Sequence, residues 1–469
     1  MHSMAFLHIM DDSGITNWRG EQRRITEWNG QSELTESPNN LGGTFLSNMK
    51  APVHRWFRYS AGFSFGLVEE SLRLFRVKSN DIVLDPFVGS GTTSVSAKLS
   101  GINSIGAELH PLISWIARTK VYWDFDLVDL REQLNLTLTE TRTILSDLNF
   151  KSQDLSNVPK LLTDVFEPLK LSQLYSLKNY ILRMDDEHVR DLLLLALIVT
   201  LRDTCNAGGG WAYIDLGKKR TNLPEVYDAF RNNIEKIYED LTLISKRKID
   251  PTFTNIEQID ARNISEELEE FQGKIDFAFT SPPYLNNYDY ADKTRLEFYF
   301  LSPIRLNGIN YDLRTWGAIS NTIRKKLLVN CSHQAVELGL REGLMPDDEM
   351  ETGLRTHILD ISQRLSKEKH LHGGKKDYDV MTVAYFNDML KTFKSVFDML
   401  KKGSYYLMVV GDSAPYGIHI PTDELLSKMA LSSGFSEANL ELLRSRGGKW
   451  KVKNKHQVPL RETVLILKK

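Results

Sequence analysis

Asp85-Pro-Phe-Val-Gly-Ser-Gly-Thr-Thr93 is the stretch whose reading decides the fold. Ahead of it, Asp81-Ile-Val-Leu-Asp85 reads as a short buried strand, and the residues after it read as a helix through Lys98. Glycines at such a handover let backbone approach a ligand with no Cβ in the way, and the helix start offers unpaired N–H donors. A second strand signal lies around Asn103 to Ala107, and apolar residues recur at helical spacing from Phe65 to Phe75. Strand, turn, helix, strand is how a parallel doubly wound sheet opens.

Three ligand classes suit a glycine turn in this position. A nucleoside triphosphate needs Lys and then Ser or Thr after the second glycine, whereas Thr92-Thr93 stand here without a lysine. A dinucleotide wants a third glycine or alanine, and Ser94 occupies that place. S-adenosylmethionine carries an ammonium, a carboxylate and a sulfonium, and no phosphate. Asp85, an acid opening the turn, suits its cationic amino-acid end. Glu108, ending the next strand, is placed to accept from ribose hydroxyls. The competing reading is a tight structural turn with an N-capping threonine.

Asp276-Phe-Ala-Phe-Thr-Ser-Pro-Pro-Tyr284 is a strand that runs into two prolines and an aromatic. The prolines stop the ladder and fix an extended loop at the strand's carboxyl end, where such sheets bind ligands. An exocyclic amine on a nucleobase is a poor nucleophile, because its lone pair is delocalised into the ring. Accepting its two protons on the Ser281 hydroxyl and the Pro282 carbonyl would localise that pair, while Tyr284 stacks on an extruded base. A loop stopped by Pro282-Pro283 with a packed tyrosine is the bland alternative.

Together these strings resemble the DNA amino-methyltransferase family, of the TSPPY type, which acts on N4 of cytosine or N6 of adenine. The residues that carry the resemblance are Asp85–Thr93, the acid Glu108 in Ile105-Gly-Ala-Glu-Leu-His-Pro111, and Thr280–Tyr284. His54-Arg-Trp-Phe57 and Ala61-Gly-Phe63 look like that family's segment over the methionine end of the cofactor. Asp260 falls where the family places an acid near the adenine. The resemblance implies an α/β fold, a class I methyltransferase (Rossmann-like) doubly wound sheet, here with two mainly helical insertions. It implies S-adenosyl-L-methionine as cofactor, held by Phe63, Asp85, Phe87, Gly89, Gly91, Thr92, Glu108, Asp260 and Thr280. The catalytic residues it implies are Ser281, Pro282, Pro283 and Tyr284. Ser at the first position of the four-residue loop is common among members acting on cytosine N4, so cytosine is expected. Adenine N6, an RNA base, or a catalytically silent DNA-binding module are the alternatives. The glycine turn precedes the Pro-Pro loop, so the order is not the permuted one.

The remaining sequence bounds the organisation. With 469 residues, 41% of them hydrophobic, the chain exceeds what one compact domain needs. We expect an arm over 1–50 and a core of 51–123, 251–300 and 385–469. Between these lie a helical insertion over 124–250, interrupted at Gly208-Gly-Gly210, and a second insertion over 301–384. The second is the favoured target-recognition region, since it follows the Pro-Pro loop and carries Arg324 and Lys375. Later signals are a helix over 385–400, a strand over 405–410, a helix over 422–433 and a last strand over 462–467.

The formal net charge is −2, so local basic patches must carry any contact with double-stranded DNA. Arg444, Arg446, Lys449, Lys451 and Lys453, continuing to Lys455 and His456, are the candidate phosphate clamp. Asn286-Asn-Tyr-Asp-Tyr290 either lines a base pocket or forms a turn, and Asp412 is equally open. The two cysteines, Cys205 and Cys331, lack paired spacing and a Pro-Cys context, so neither a metal site nor a thiol nucleophile is expected. No apolar run is long enough to span a bilayer. These features suit a cytoplasmic protein, and the resemblance implies a nucleoid-associated one of a bacterial or archaeal restriction-modification system, with a cognate restriction endonuclease as a further partner.

Overall fold

Apolar strands ending in glycine or proline turns build one sheet of seven. The computed structural model describes residues 7–11, 14–18, 46–146, 155, 158–209, 214–302, 304–306, 309–311, 316–373, 376–446 and 460–469. Its strands are β1 (Ile82–Asp85), β2 (Asn103–Ala107), β3 (Thr254–Glu257), β4 (Ile275–Thr280), β5 (Leu400–Gly411), β6 (Glu437–Arg446) and β7 (Leu460–Lys468). They lie in the order 3-2-1-4-5-7-6. β7 alone runs antiparallel to the other six strands. This is the doubly wound α/β sheet of class I methyltransferases that the resemblance implied.

Strand pleating sorts the side chains between two layers. Phe277 and Phe279 of β4 pack with Leu67, Val68 and Leu72 of α1 (Phe65–Leu74) and Ala97 of α2 (Thr92–Leu99). Ala278 of the same strand faces the opposite layer, formed by α10 (Tyr378–Met399) and α11 (Thr422–Ser432), where Met389, Phe393, Leu425 and Met429 are buried. The central strands are covered on both faces, which is why they read as continuous apolar runs.

Four long helices occupy the stretch after α3 (Pro111–Val121). They are α4 (Leu127–Ser146), α5 (Pro168–Ile181), α6 (Glu187–Thr204) and α7 (Val226–Ser245). Asp186 caps α6 by accepting from the amides of His188 and Val189, and Leu192–Ile198 are all buried, as in a helix surrounded by others. The glycine run opens a hairpin of Ala207–Gly209 with Ile214–Lys219. The later stretch holds α8 (Trp316–Lys326), α9 (Thr352–Leu371) packed on α10, and a small hairpin of Ile304–Leu306 with Ile309–Tyr311. Among the described residues, no helix is long and apolar enough to cross a membrane.

Several elements differ from expectation. Leu7–Asp11 and Gly14–Trp18 pair as a hairpin inside the expected irregular arm. Helix α10 starts at Tyr378, before the expected start at 385, because Val380, Met381 and Val383 already find a buried face. Strand β6 carried no strand signal. As an edge strand it pairs on one side only and keeps exposed polar residues.

Candidate active site

The strand order reverses between β1 and β4, and ligands bind beyond the carboxyl ends of the strands at such a switch point. A cleft of about 780 Å³, counting its open mouth, lies there. The glycine turn forms its floor. Gly91, at φ 89°, caps the start of α2 in a left-handed conformation that a side chain would strain. The turn also needs room from β2. A Cβ on Gly106 would sit 2.8 Å from Val88 and 2.9 Å from Ile256, so glycine there lets the turn close down on the strand.

Eight of the expected site residues line the cleft: Phe63, Phe87, Gly89, Thr92, Glu108, Asp260, Ser281 and Pro283. The acid that follows β2 and the hydroxyl that follows β4 therefore open into one space, although 173 positions part them in the chain (281 − 108). Glu108 Oε1 accepts the amide of His110 at 2.8 Å. Burial raises its carboxyl to about 7, and the neighbouring Asp85 adds to the rise. Asp260 also reaches the cleft, but Arg262 forks both its oxygens and ties them to Asp388 of α10.

Asp85 stands beneath the floor and has no exposed surface. One oxygen accepts the Thr280 hydroxyl at 2.5 Å and the Phe87 amide at 3.0 Å, and the other accepts the Thr93 hydroxyl at 2.6 Å. It laces the glycine turn to α2 and to the end of β4. Burial pushes its carboxyl up to about 6 against these three donors. Gly91, Thr280, Pro282 and Tyr284 do not line the cleft. The Tyr284 hydroxyl donates to Glu462 Oε1 of β7 at 3.1 Å and lies 3.5 Å from Ser281 Oγ.

Other lining residues escaped the sequence reading. Tyr59 stands in the strap over 53–63, between the two segments likened to the family, and Tyr290, from the stretch left open between pocket and turn, faces the cleft. Burial raises both hydroxyls well above the usual phenol value, so both stay protonated donors. Leu327 and Leu328, past α8, form an apolar wall. Beside them, Asn330 donates to the carbonyls of Tyr284 and Tyr288 at 3.2 and 3.0 Å and pins the loop after the Pro-Pro pair. No pattern around 327–330 announced this, since only the fold brings that segment to the loop.

The helical stretch reaches the same cleft through the strap. Asp240 of α7 is buried and accepts from the Val53 amide, from Arg55 Nε and Nη2, and from Trp56 Nε1, all within 2.7–3.0 Å. Val53 sits at φ 64°, a costly conformation for a β-branched residue. Arg202 of α6 adds an ion pair with Glu297 and covers the Phe57 ring.

A family model described as DNA methylase matches residues 15–118. The type II methyltransferase M.BsoBI of Geobacillus stearothermophilus is 25% identical over 450 residues, covering 89% of this chain and 85% of that protein. M.AvaI of Anabaena variabilis is 25% identical over 445 residues, covering 88% and 86%. These matches support a member of the DNA amino-methyltransferase family. M.MjaII of Methanocaldococcus jannaschii shares 39% identity over 97 residues, or 20% of this chain and 18% of that one. No solved structure matches the chain significantly.

The likeness supports DNA amino-methylation, and the remaining residues are placed against that. Neither cysteine lines the cleft, and burial raises both thiols, Cys331 to about 12. Arg444 lies in β6 with its Nε on Glu462 Oε2 at 2.5 Å, and Arg446 ends that strand. Lys449, Lys451, Lys453, Lys455 and His456 lie outside the described residues, as does Lys375. Arg324 is paired with Asp289 at 2.9 Å. Asp412 is buried at the end of β5, where His419 and Arg461 approach it.

Proposed function

We propose that this protein transfers a methyl group from S-adenosylmethionine to the exocyclic N4 of a cytosine flipped out of double-stranded DNA, within a restriction-modification system. One observation carries the reading: Glu108 and Ser281 open into the same cleft at the switch point of the sheet. The lining suits the cofactor. Phe63, Phe87, Ile259 and Leu327 offer apolar cover for an adenine, Glu108 offers a double acceptor for ribose hydroxyls, and the glycine turn offers close backbone approach. Asp85, held beneath the floor, fixes that turn. When bound there, the cofactor supplies an electrophilic methyl group. Ser281 accepts a proton of the target amine, Pro283 keeps the loop rigid, and Tyr284 stacks on the base. Ser at the head of the loop favours cytosine over adenine N6 by likeness to the family. Mass spectrometry of nucleosides from DNA incubated with enzyme and cofactor should show N4-methylcytosine. Accumulation of N6-methyladenine alone would overturn the assignment.

Glu108→Ala should weaken cofactor binding by about 1.5–3 kcal/mol through loss of charge-assisted hydrogen bonds. The ribose hydroxyls donate to the ionised carboxylate, whose proton leaves near pH 7 in the free site. Wild-type affinity should therefore rise with pH up to about 7 and level off above it, while Glu108→Ala stays flat. Calorimetry across pH checks both, and unchanged affinity in the folded variant removes the ribose role.

Sequence reading is assigned to 301–384. Its segment at 327–330 already touches the cleft and the Pro-Pro loop, whereas 124–250 grips the strap. Photo-cross-linking to DNA should label 301–384, and labels confined to 124–250 would reverse the assignment.

A further inference from the structure

A hydroxyl has one proton to give, and that constraint bears on Ser281. To accept a proton from the target amine, Ser281 must direct its own O–H elsewhere. The Tyr284 oxygen lies 3.5 Å from Ser281 Oγ in the accepting position. Tyr284 accepts there on its oxygen lone pair while its own proton points away, donated to Glu462 Oε1 at 3.1 Å. Glu462 is 3% exposed, and its other oxygen takes the Nε–H of Arg444. A guanidinium only donates, so the carboxylate can only accept, and the polarity of the whole row is set from that end.

We infer that Ser281, Tyr284 and Glu462 form a hydroxyl relay that turns the Ser281 lone pairs toward the amine and carries away the proton that methylation releases. Glu462 is the positioning residue that orients it, and Arg444 anchors Glu462. The inference rests on the amino-methyltransferase reading above. The balance closes without any further reactant. The amine nitrogen's pair forms the N–C bond while the methyl–sulfur bond breaks with its pair left on sulfur. The surplus proton on nitrogen passes to Ser281 Oγ as the Ser281 proton moves to Tyr284 and the Tyr284 proton moves to Glu462. Both hydroxyls are regenerated, and only the carboxylate changes charge. The 3.5 Å span is the long member of the row. Catalytic hydrogen bonds commonly stand long before substrate arrives and tighten upon it.

Glu462→Gln tests this, because an amide beside Arg444 presents its oxygen to the guanidinium and its NH2 to Tyr284, which reverses the row. Single-turnover transfer of a tritiated methyl group to long unmethylated duplex DNA is compared with cofactor and DNA affinities measured separately. We expect the rate constant to fall roughly tenfold to a hundredfold with both affinities within about twofold of wild type. Tyr284→Phe, which keeps the ring and removes the relay's middle hydroxyl, should cost a similar factor. The double variant should then cost no more than either single one, as members of one chain do. A wild-type rate in Glu462→Gln, or costs that multiply in the double variant, overturns the relay while leaving DNA methylation intact. Absence of methyl transfer by the wild-type protein overturns both the relay and the reading beneath it.

Discussion

Ser281→Ala is expected to lower methyl-transfer turnover by about 10²–10³-fold, the scale of removing one polar group aimed at the reacting atoms. Ser281 lines the cleft from the end of β4, where Thr280 is fastened to Asp85 and cannot shift along the strand. The alanine variant keeps the two prolines and the fastened strand end, so the loop should hold its course. Cofactor affinity should stay within about twofold, because the loss falls on the transition state and not on the nucleoside site. Tyr284→Ala should follow the same pattern by a different route. It deletes both the stacking ring and the hydroxyl shared with Glu462. Single-turnover rates set beside calorimetric cofactor affinities check both variants. Wild-type turnover in Tyr284→Ala would show that the ring only packs.

Asp240→Ala should lower the unfolding free energy by about 3–5 kcal/mol, since it strips a buried carboxylate from a cation and two further donors at once. The Val53 amide and the Trp56 indole N–H bond it from buried residues, and Arg55 binds it by two nitrogens. Val53 holds its left-handed φ only while that partner is present, so the strap should relax as well. Tyr59 and Phe63 lie further along the same strap and line the cleft. The variant should therefore bind cofactor more weakly than its residual stability alone explains. Asp240→Asn, which keeps an acceptor oxygen, should recover part of both losses. Urea melts and cofactor titrations read the two effects. A melt within about 0.5 kcal/mol of wild type, the range of a neutral surface change, would show that other contacts hold the strap.

Local sequence alone determined the chemistry of this protein. A strand handing over to glycines, an acid ending the next strand, and a strand stopped by two prolines are short-range signals. Each specifies its own backbone through strand propensity, glycine freedom or proline rigidity, and together they pointed to the sheet and its site. The alternating helices after them were legible because each must bury one apolar stripe. Tertiary structure alone decided which polar groups meet. Asp85 reads as a ligand-facing acid, yet Thr93 and Thr280 converge on it beneath the floor, because β1 and β4 lie side by side in the sheet. Arg444 reads as a free cation in a basic run, yet pairing of β6 with β7 brings it to Glu462 and so to Tyr284. Asp240 and Asn330 carry no local pattern, and their roles arise from partners far away in the chain. A hydrogen bond between distant residues costs and gains its energy in the folded state, so only the fold can reveal which donors and acceptors it has paired.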